Sequence, residues 1–442
     1  MKRPVTSLDR HVTLDVELGT PDRYREVLAL APAGPMIARG AGLSYVAASF
    51  GEGAVSVGMT RFDRVLALDE GARRAEVEAG ISLGRLQEVL APRGLQVAVQ
   101  PGYPDITVGG CIAGNVHGKN HYREGVFAGV VESLRLFHPV HGLITASANE
   151  NAEVFELTIG GLGLTGLILA ATLRLIPLPG TVVEVEHIPV ASPQEACAHI
   201  GRLREECDML YAWLDFSRRG ARMGRGYVVA GRWIDESRID VSGAVTARAR
   251  PRALDPSAAR LRPNVFGVAM GAINEVYYRI GTRRPLRRRT PMLDVLYPAV
   301  GKEFYFDFFG RRGFIEHQSL IPETMIGTHL EAFRALFLRH GQPVALATLK
   351  AGRGAARLLH YDGCGYSFTI DVAPTREGVA LLADLDQATI RHGGRTSIMK
   401  DSRLPVDVVR AEYPEYDVFR DRLRAYDPRR LFRSAVSQRL EL

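Results

Sequence analysis

The chain has 442 residues, enough for two or three domains and for a core that needs no disulfide or metal staple. Hydrophobic residues make up 46% and charged residues 24%, which excludes a disordered or fibrous chain. The net charge of +7 leaves nucleic acid and anionic lipid open as partners. The cations are lopsided: Lys plus Arg is 56, yet lysine occurs only at Lys2, Lys119, Lys302, Lys350 and Lys400. Arginine is the default cation, so each lysine position carries information. Cys111, Cys197, Cys207 and Cys364 form no CxxC pair, which argues against zinc and iron–sulfur sites. Residues 1–4 open no apolar stretch, and the most apolar segment, 164–176, contains Thr165, Thr172 and Arg174. The expectation is a cytoplasmic protein, with peripheral membrane contact left open.

Residues 21–30 read as a short helix, and 35–38 as a strand entering the glycine turn Arg39-Gly40-Ala41-Gly42-Leu43-Ser44-Tyr45. Apolar positions alternate over 54–68, and 75–80 is a further strand. Ser82 caps a helix over 83–90 that Pro92 and Gly94 end. A Gly/Pro-rich passage fills 101–120, and strands follow at 130–147 and 172–176. Beyond Gly180 the pattern predicts strands at 181–190, 314–321, 343–350 and 366–372, with helices at 193–206, 326–340 and 376–392. The arginine-rich stretches 247–263 and 281–291 read as mobile surface loops. Such loops are either a lid that pairs with a phosphate or lipid headgroup, or solvated segments with no partner. The tail, 402–442, is charged and mainly helical.

Gly161, Gly163 and Gly166 spell GxGxxG, but the residues after them alternate like a strand and meet Pro177. A dinucleotide site would open a helix there. Gly118-Lys119 lacks the upstream glycine and the Ser/Thr of a P-loop, and His117 and His121 lack the glutamate of HExxH, so no metal site is expected. What glycine segments can do is turn successive N–H groups around a phosphate. Residues 39–44, Thr107-Val108-Gly109-Gly110 and Gly114-Asn115-Val116-His117 qualify, and two such cradles suit a pyrophosphate. For either segment alone, ordinary turn glycine is the competing reading.

Together, in order and spacing, these runs resemble the FAD domain of the vanillyl-alcohol-oxidase/PCMH-type flavoproteins. Phe62-Asp63, Val77-Glu78-Ala79-Gly80, Pro101-Gly102 and Gly163-Leu164-Thr165-Gly166 add to the match. Within that superfamily, His117-Gly118-Lys119-Asn120-His121 and Lys400-Asp401-Ser402-Arg403 resemble the ribose 2-oxidases, as do Tyr413-Pro414 and Arg439-Leu440-Glu441-Leu442. The resemblance implies an α+β, two-domain fold. Residues 1–180 and 397–442 would form the FAD-binding domain, and 181–396 a substrate domain on an antiparallel sheet. It implies FAD contacts from Arg39, Gly40, Ala41, Gly42, Leu43, Ser44, Tyr45, Gly102, Thr107, Val108, Gly109, Gly110, Gly114, Asn115, Val116, His117, Ile168 and Lys400. Leu43 stands where covalent members carry histidine, so the FAD is expected to be non-covalent.

By the same resemblance Lys119, Lys350 and Lys400 lie near flavin and substrate. Oxidising an alcohol removes a hydride from carbon and a proton from oxygen, and the reduced flavin is an anion that a compact cation stabilises. Lysine, unlike arginine, can also release its proton when desolvated. The implied catalytic set is Lys400, Gln318, Lys350 and Lys119; Tyr45, Lys119, Gln318, Lys350, Thr369 and Ser397 would contact substrate. Three positions depart from the ribose oxidases: Thr369 replaces a cysteine, Ser397 a tyrosine, and Glu316 a second amide. A sugar, nucleoside or polyol therefore competes with a polyprenyl-phosphate sugar as substrate. The expected activity is oxidation of a secondary hydroxyl to a ketone, with an NADH-dependent reductase as implied partner. An alditol, aldonolactone or specialised-metabolite oxidase is the alternative. A nucleic-acid-binding protein is the reading from another class, and no recognised module or stacking run supports it.

Overall fold

The computed structural model describes residues 2–30, 34–217, 219–234, 266–283 and 287–442; the stretch 247–263 lies outside them. The fold is α+β. A four-stranded sheet joins Lys2–Thr6, Thr13–Gly19, Val55–Gly58 and Met36–Arg39, antiparallel at the first pair and parallel at the other two. Five antiparallel strands follow, ordered Val65–Asp69, Arg74–Glu78, Leu167–Arg174, Val131–His138, Gly142–Ser147. The Gly163 turn feeds directly into Leu167–Arg174, so the GxGxxG run enters a strand.

Two helices cover this second sheet. Leu83–Leu90 starts at Ser82, whose hydroxyl accepts from Arg85 N–H. Val108–Ala113 lies inside the Gly/Pro-rich passage and starts at Thr107, whose hydroxyl accepts from Gly110 N–H. Leu86, Cys111 and Ile112 from these helices pack on Val77, Leu134 and Leu173 of the sheet.

The largest sheet has eight antiparallel strands. Its order is Arg287–Pro291, Val182–Val190, Arg225–Trp233, Met209–Asp215, Val344–Gly352, Gly365–Val372, Ile315–Ile321, Arg395–Thr396. Successive side chains point to opposite faces. Leu210, Ala212, Leu214, Val228, Phe368 and Ile370 face helices Pro193–Leu203, Ile326–His340 and Arg376–Arg391, forming the main core. The intervening residues face the other way and wall a cavity.

The C-terminal helices Val406–Glu412, Tyr416–Tyr426 and Ala435–Arg439 pack against the N-terminal part of the chain. Val409, Tyr413 and Phe419 share a core with Ile37, Val46, Leu157 and Leu162, and Met36 N–H donates to Leu431 C=O at 2.7 Å.

The loop expected at 281–291 is not what forms. Residues 281–283 end the helix Phe266–Arg283, and Arg287–Pro291 is an edge strand paired with Val182–Val190. Carboxylates on the neighbouring strand make the arginine run tolerable: Arg287 lies 3.3 Å from Glu186 and 3.9 Å from Glu184. Charge along an exposed edge also discourages further strand pairing. Among the described residues, no helix is long and apolar enough to cross a membrane.

Candidate functional site

One cavity of about 650 Å³ runs from the glycine loops to the open face of the eight-stranded sheet. That volume lies within the range of cofactor and ligand sites, roughly 300–1,000 Å³.

The glycine loops form the first wall and touch each other. A Cβ on Gly40 would stand 2.3 Å from Thr107 Oγ1, so only glycine lets the loops meet. Gly42 has φ +73° and rests on the Arg39 guanidinium, which donates to Ser49 Oγ at 2.8 Å. Among the described residues no hydrogen bond uses the N–H groups of residues 41–44. Ser44 Oγ and Asn115 Nδ2 line the cavity, buried and without a partner. Buried polar groups are seldom left so, and these mark where a polar ligand group fits.

The second glycine segment differs from its expected role. Its N–H groups are already engaged: Val108 with Ile81 C=O, Gly109 with Ala79 C=O, Gly110 with Thr107 Oγ1, and Gly114, Asn115 and Val116 within their own turn. The cap, the helix turn and the carbonyls of Ala79 and Ile81 use them up. Gly109, Gly110 and Gly114 line the cavity as bare surface that allows close approach. Two expected cofactor contacts lie behind the wall: Val108 is fully buried against the sheet, and Arg39 sits beneath Gly42. Gly40, Ala41, Gly42, Leu43, Ser44, Tyr45, Gly102, Thr107, Asn115, Val116, His117 and Ile168 all reach the cavity.

The sheet face forms the second wall. Glu316 and Gln318 come from one strand, Thr369 and Asp371 from its neighbour, and Thr348 and Lys350 from the next. Farther along the same face stand Tyr211, Trp213 and Tyr227. Gln318 Nε2 donates to Ser367 Oγ at 2.7 Å and to His117 Nε2 at 3.1 Å. Gln318 C=O accepts from Ser397 N–H at 2.8 Å, and Ser397 C=O accepts from Lys400 N–H at 3.1 Å. The turn carrying Lys400 therefore hangs from the strand carrying Gln318. Lys400 Nζ sits 2.7 Å from Glu316 Oε1 and 3.7 Å from the centre of the Tyr45 ring.

The residues after Lys400 anchor it from behind. Arg403 bonds Asp386 at 2.7 and 2.9 Å and Asp401 at 2.7 Å, and His317 Nδ1 lies 3.1 Å from Asp401. His317, Asp386 and Asp401 converge closely enough to hold a cation, but the Arg403 guanidinium already bonds both carboxylates and fills that role.

Four of the five lysines line the cavity. Burial, reinforced by Lys350 and Lys400, pushes the Lys119 amine down to about 7, and its Nζ rests against Gly102. Burial and then Lys400 bring Lys350 down to about 8. Burial, Lys350 and His121 hold His117 well below the usual histidine range, so it is neutral. Tyr45 is pushed well above its ordinary range by burial and then by Glu316 and Asp371. The expected set Lys119, Gln318, Lys350, Thr369, Ser397 and Lys400 is thus brought to one cavity. Sequence reasoning missed Lys302, which the scarcity of lysine pointed to, and Asp371, which shares the Thr369 face two residues on.

Residues 13–147 match the family model described as FAD binding domain. Together with the continuous cavity and the α+β architecture, this makes the chain an FAD-dependent oxidoreductase with a PCMH-type FAD-binding fold. Over nearly its whole length it is similar to decaprenylphosphoryl-beta-D-ribose oxidase of Mycolicibacterium smegmatis, with 28% identity over 92% of this chain and 89% of that protein. It is also similar to L-gulonolactone oxidase of Bos taurus, 31% identical over 37% of this chain and 39% of that protein. D-arabinono-1,4-lactone oxidase of Yarrowia lipolytica is 34% identical over 25% of this chain and 21% of its own length.

Proposed function

We propose that the cavity holds FAD against the glycine loops and a sugar-like secondary alcohol against the sheet, and that the enzyme oxidises that alcohol to a ketone. The observation that carries this is the continuity of one cavity from the unused N–H groups of residues 41–44 to Lys400, Glu316 and Gln318. Bound FAD supplies the hydride acceptor.

The chain's own groups divide the remaining work. The N–H groups of residues 41–44 and Ser44 Oγ bind the pyrophosphate, and Asn115 Nδ2 donates to the cofactor from the opposite loop. Leu43 is aliphatic and cannot form a covalent flavin link. Lys400, fixed as an ammonium between Glu316 and the Tyr45 ring, stabilises negative charge developing beside it. Lys350 and Gln318 orient the sugar hydroxyls, and Lys119 adds a tunable cation on the glycine-loop side.

The sugar class follows from the long match to a ribose oxidase. An aldonolactone or alditol oxidase is the second reading, favoured by the two lactone oxidases, whose matches cover 37% and 25% of this chain. Anaerobic addition of sugars, sugar phosphates, nucleosides and aldonolactones to the yellow protein tests both. Bleaching of the flavin by a sugar or nucleoside supports the first reading, and bleaching by lactones alone supports the second. Acid precipitation should leave the flavin in the supernatant.

A further inference from the structure

Glu316 and Asp371 are register partners on the adjacent antiparallel strands Ile315–Ile321 and Gly365–Val372. Both carboxyl groups therefore stand side by side on the cavity wall. Two neighbouring buried carboxylates do not both stay charged. Burial and the Glu316 charge push Asp371 well above the ordinary carboxyl range, so Asp371 keeps the proton. Its Oδ2 accepts from Tyr305 Oη at 2.6 Å, and its buried carboxyl is close enough to hydrogen-bond Glu316 when one of the two carries a proton. Glu316 is the member paired with an ammonium, that of Lys400.

That pairing assigns the lysine a role. An ammonium held between a carboxylate and an aromatic face acts as a cation, not as a base. The groups facing Glu316 are Lys400, Lys350, Lys119, Tyr45, Tyr305 and Asp371. Tyr45, Tyr305 and Asp371 hold their protons and Lys400 is paired, so the acceptors left are the Glu316 carboxylate and the Lys119 amine; of the two, Glu316 stands on the sheet wall with Gln318 and beside Lys400.

We propose that Glu316 is the proton acceptor of the reaction, with Asp371 as the partner that shares its proton. The inference deepens the alcohol oxidation proposed above and rests on it. The carbinol C–H bond breaks and its hydride passes to FAD, the oxidant. The O–H bond breaks with it: its electron pair becomes the second bond of the ketone, and its proton bonds to a Glu316 carboxylate oxygen. The substrate loses two electrons and they end on the cofactor. The carboxyl pair then holds two protons, and one returns to solvent after the ketone leaves.

Infrared spectroscopy of the FAD-free protein reads the pair without any turnover. Burial also pushes Glu412 up to about 8, so the difference between wild type and variant is read: one protonated-carboxyl component near neutral pH is expected to vanish in Asp371→Asn and to shift in Glu316→Gln. A band unchanged in both variants overturns the pairing. Flavin reduction by a bleaching sugar reads the role. Glu316→Gln should bind FAD yet reduce it on the order of 100-fold more slowly, and lose the acid limb of the rate–pH profile. Glu316→Asp should restore part of both. Asp371→Asn removes the shared proton, so its rate and rate–pH profile should differ from wild type; this variant decides if Glu316→Gln does not retain FAD. A wild-type rate and profile in these variants overturns the role of Glu316 and leaves the alcohol oxidation standing. Should no alcohol bleach the wild-type flavin, the alcohol reading falls and this role falls with it.

Discussion

Gln318 Nε2 donates to His117 Nε2 at 3.1 Å, joining residues 201 positions apart. An amide NH2 group can only donate, so the His117 ring must accept there and carry its proton on Nδ1, which faces Gly118 C=O at 3.4 Å. Burial and the nearby Lys350 favour the same neutral ring. Gln318→Glu would place a carboxylate against that nitrogen and favour the imidazolium. The His117 titration, followed by NMR, should move up by about 1–3 pH units. An unmoved titration contradicts the bond.

Lys119 makes stability depend on pH. Its folded value is about 7, whereas an unfolded lysine titrates near about 10.4. Between the two values the unfolded chain binds more protons, so this group's contribution to stability rises with pH across that window. Below it, the buried ammonium is a penalty. Lys119→Met should therefore stabilise the FAD-free protein at about pH 6, with the gain fading towards about pH 10. Urea unfolding at the two pH values checks this, and an equal effect at both contradicts it.

The contact between the glycine loops leaves no room for a methyl group. In Gly40→Ala the new Cβ would be 2.3 Å from Thr107 Oγ1, and Thr107 caps the helix Val108–Ala113. The variant should lose about 1–3 kcal/mol and retain little FAD. Gly129→Ala, where a Cβ meets nothing within 4 Å, is the control and should keep both. Thermal unfolding and flavin absorbance read the two effects.

Arg403 holds two buried carboxylates. Burial alone would raise Asp401, but Arg403 and His317 outweigh it and hold Asp401 far below the ordinary range. A depressed carboxyl contributes stability above its unfolded value and loses it as pH falls towards the folded one. Arg403→Ala should cost about 3–5 kcal/mol near neutrality and less in acid, where the orphaned carboxyls take up protons. Denaturant unfolding at both pH values measures the difference. Arg403→Lys should recover only part, since a lysine cannot bond both carboxylates in the same fork geometry.

The glycine loops were legible in the sequence because local composition marks them; scarcity marked all five lysines alike, and only the family resemblance singled out Lys119, Lys350 and Lys400. The engaged N–H groups of Val108 and Gly109 were not, because they depend on the carbonyls of Ile81 and Ala79, more than twenty-five positions earlier. The strand Met209–Asp215 escaped detection because it has no apolar–polar contrast. Leu210, Ala212 and Leu214 fill the core while Tyr211 and Trp213 wall the cavity, so both faces are apolar. Pairing of Glu316 with Asp371 needs the register of two strands some fifty residues apart, which no local pattern encodes. The edge strand Arg287–Pro291 read as a loop because its partner carboxylates, Glu184 and Glu186, lie a hundred positions earlier.

The most direct test of the account is anaerobic reduction of the bound flavin in wild type and Lys400→Met with a single bleaching sugar. The account predicts that Lys400→Met keeps its yellow colour and reduces it roughly 100- to 1,000-fold more slowly. A Lys400→Met protein that retains FAD and bleaches at the wild-type rate would contradict it.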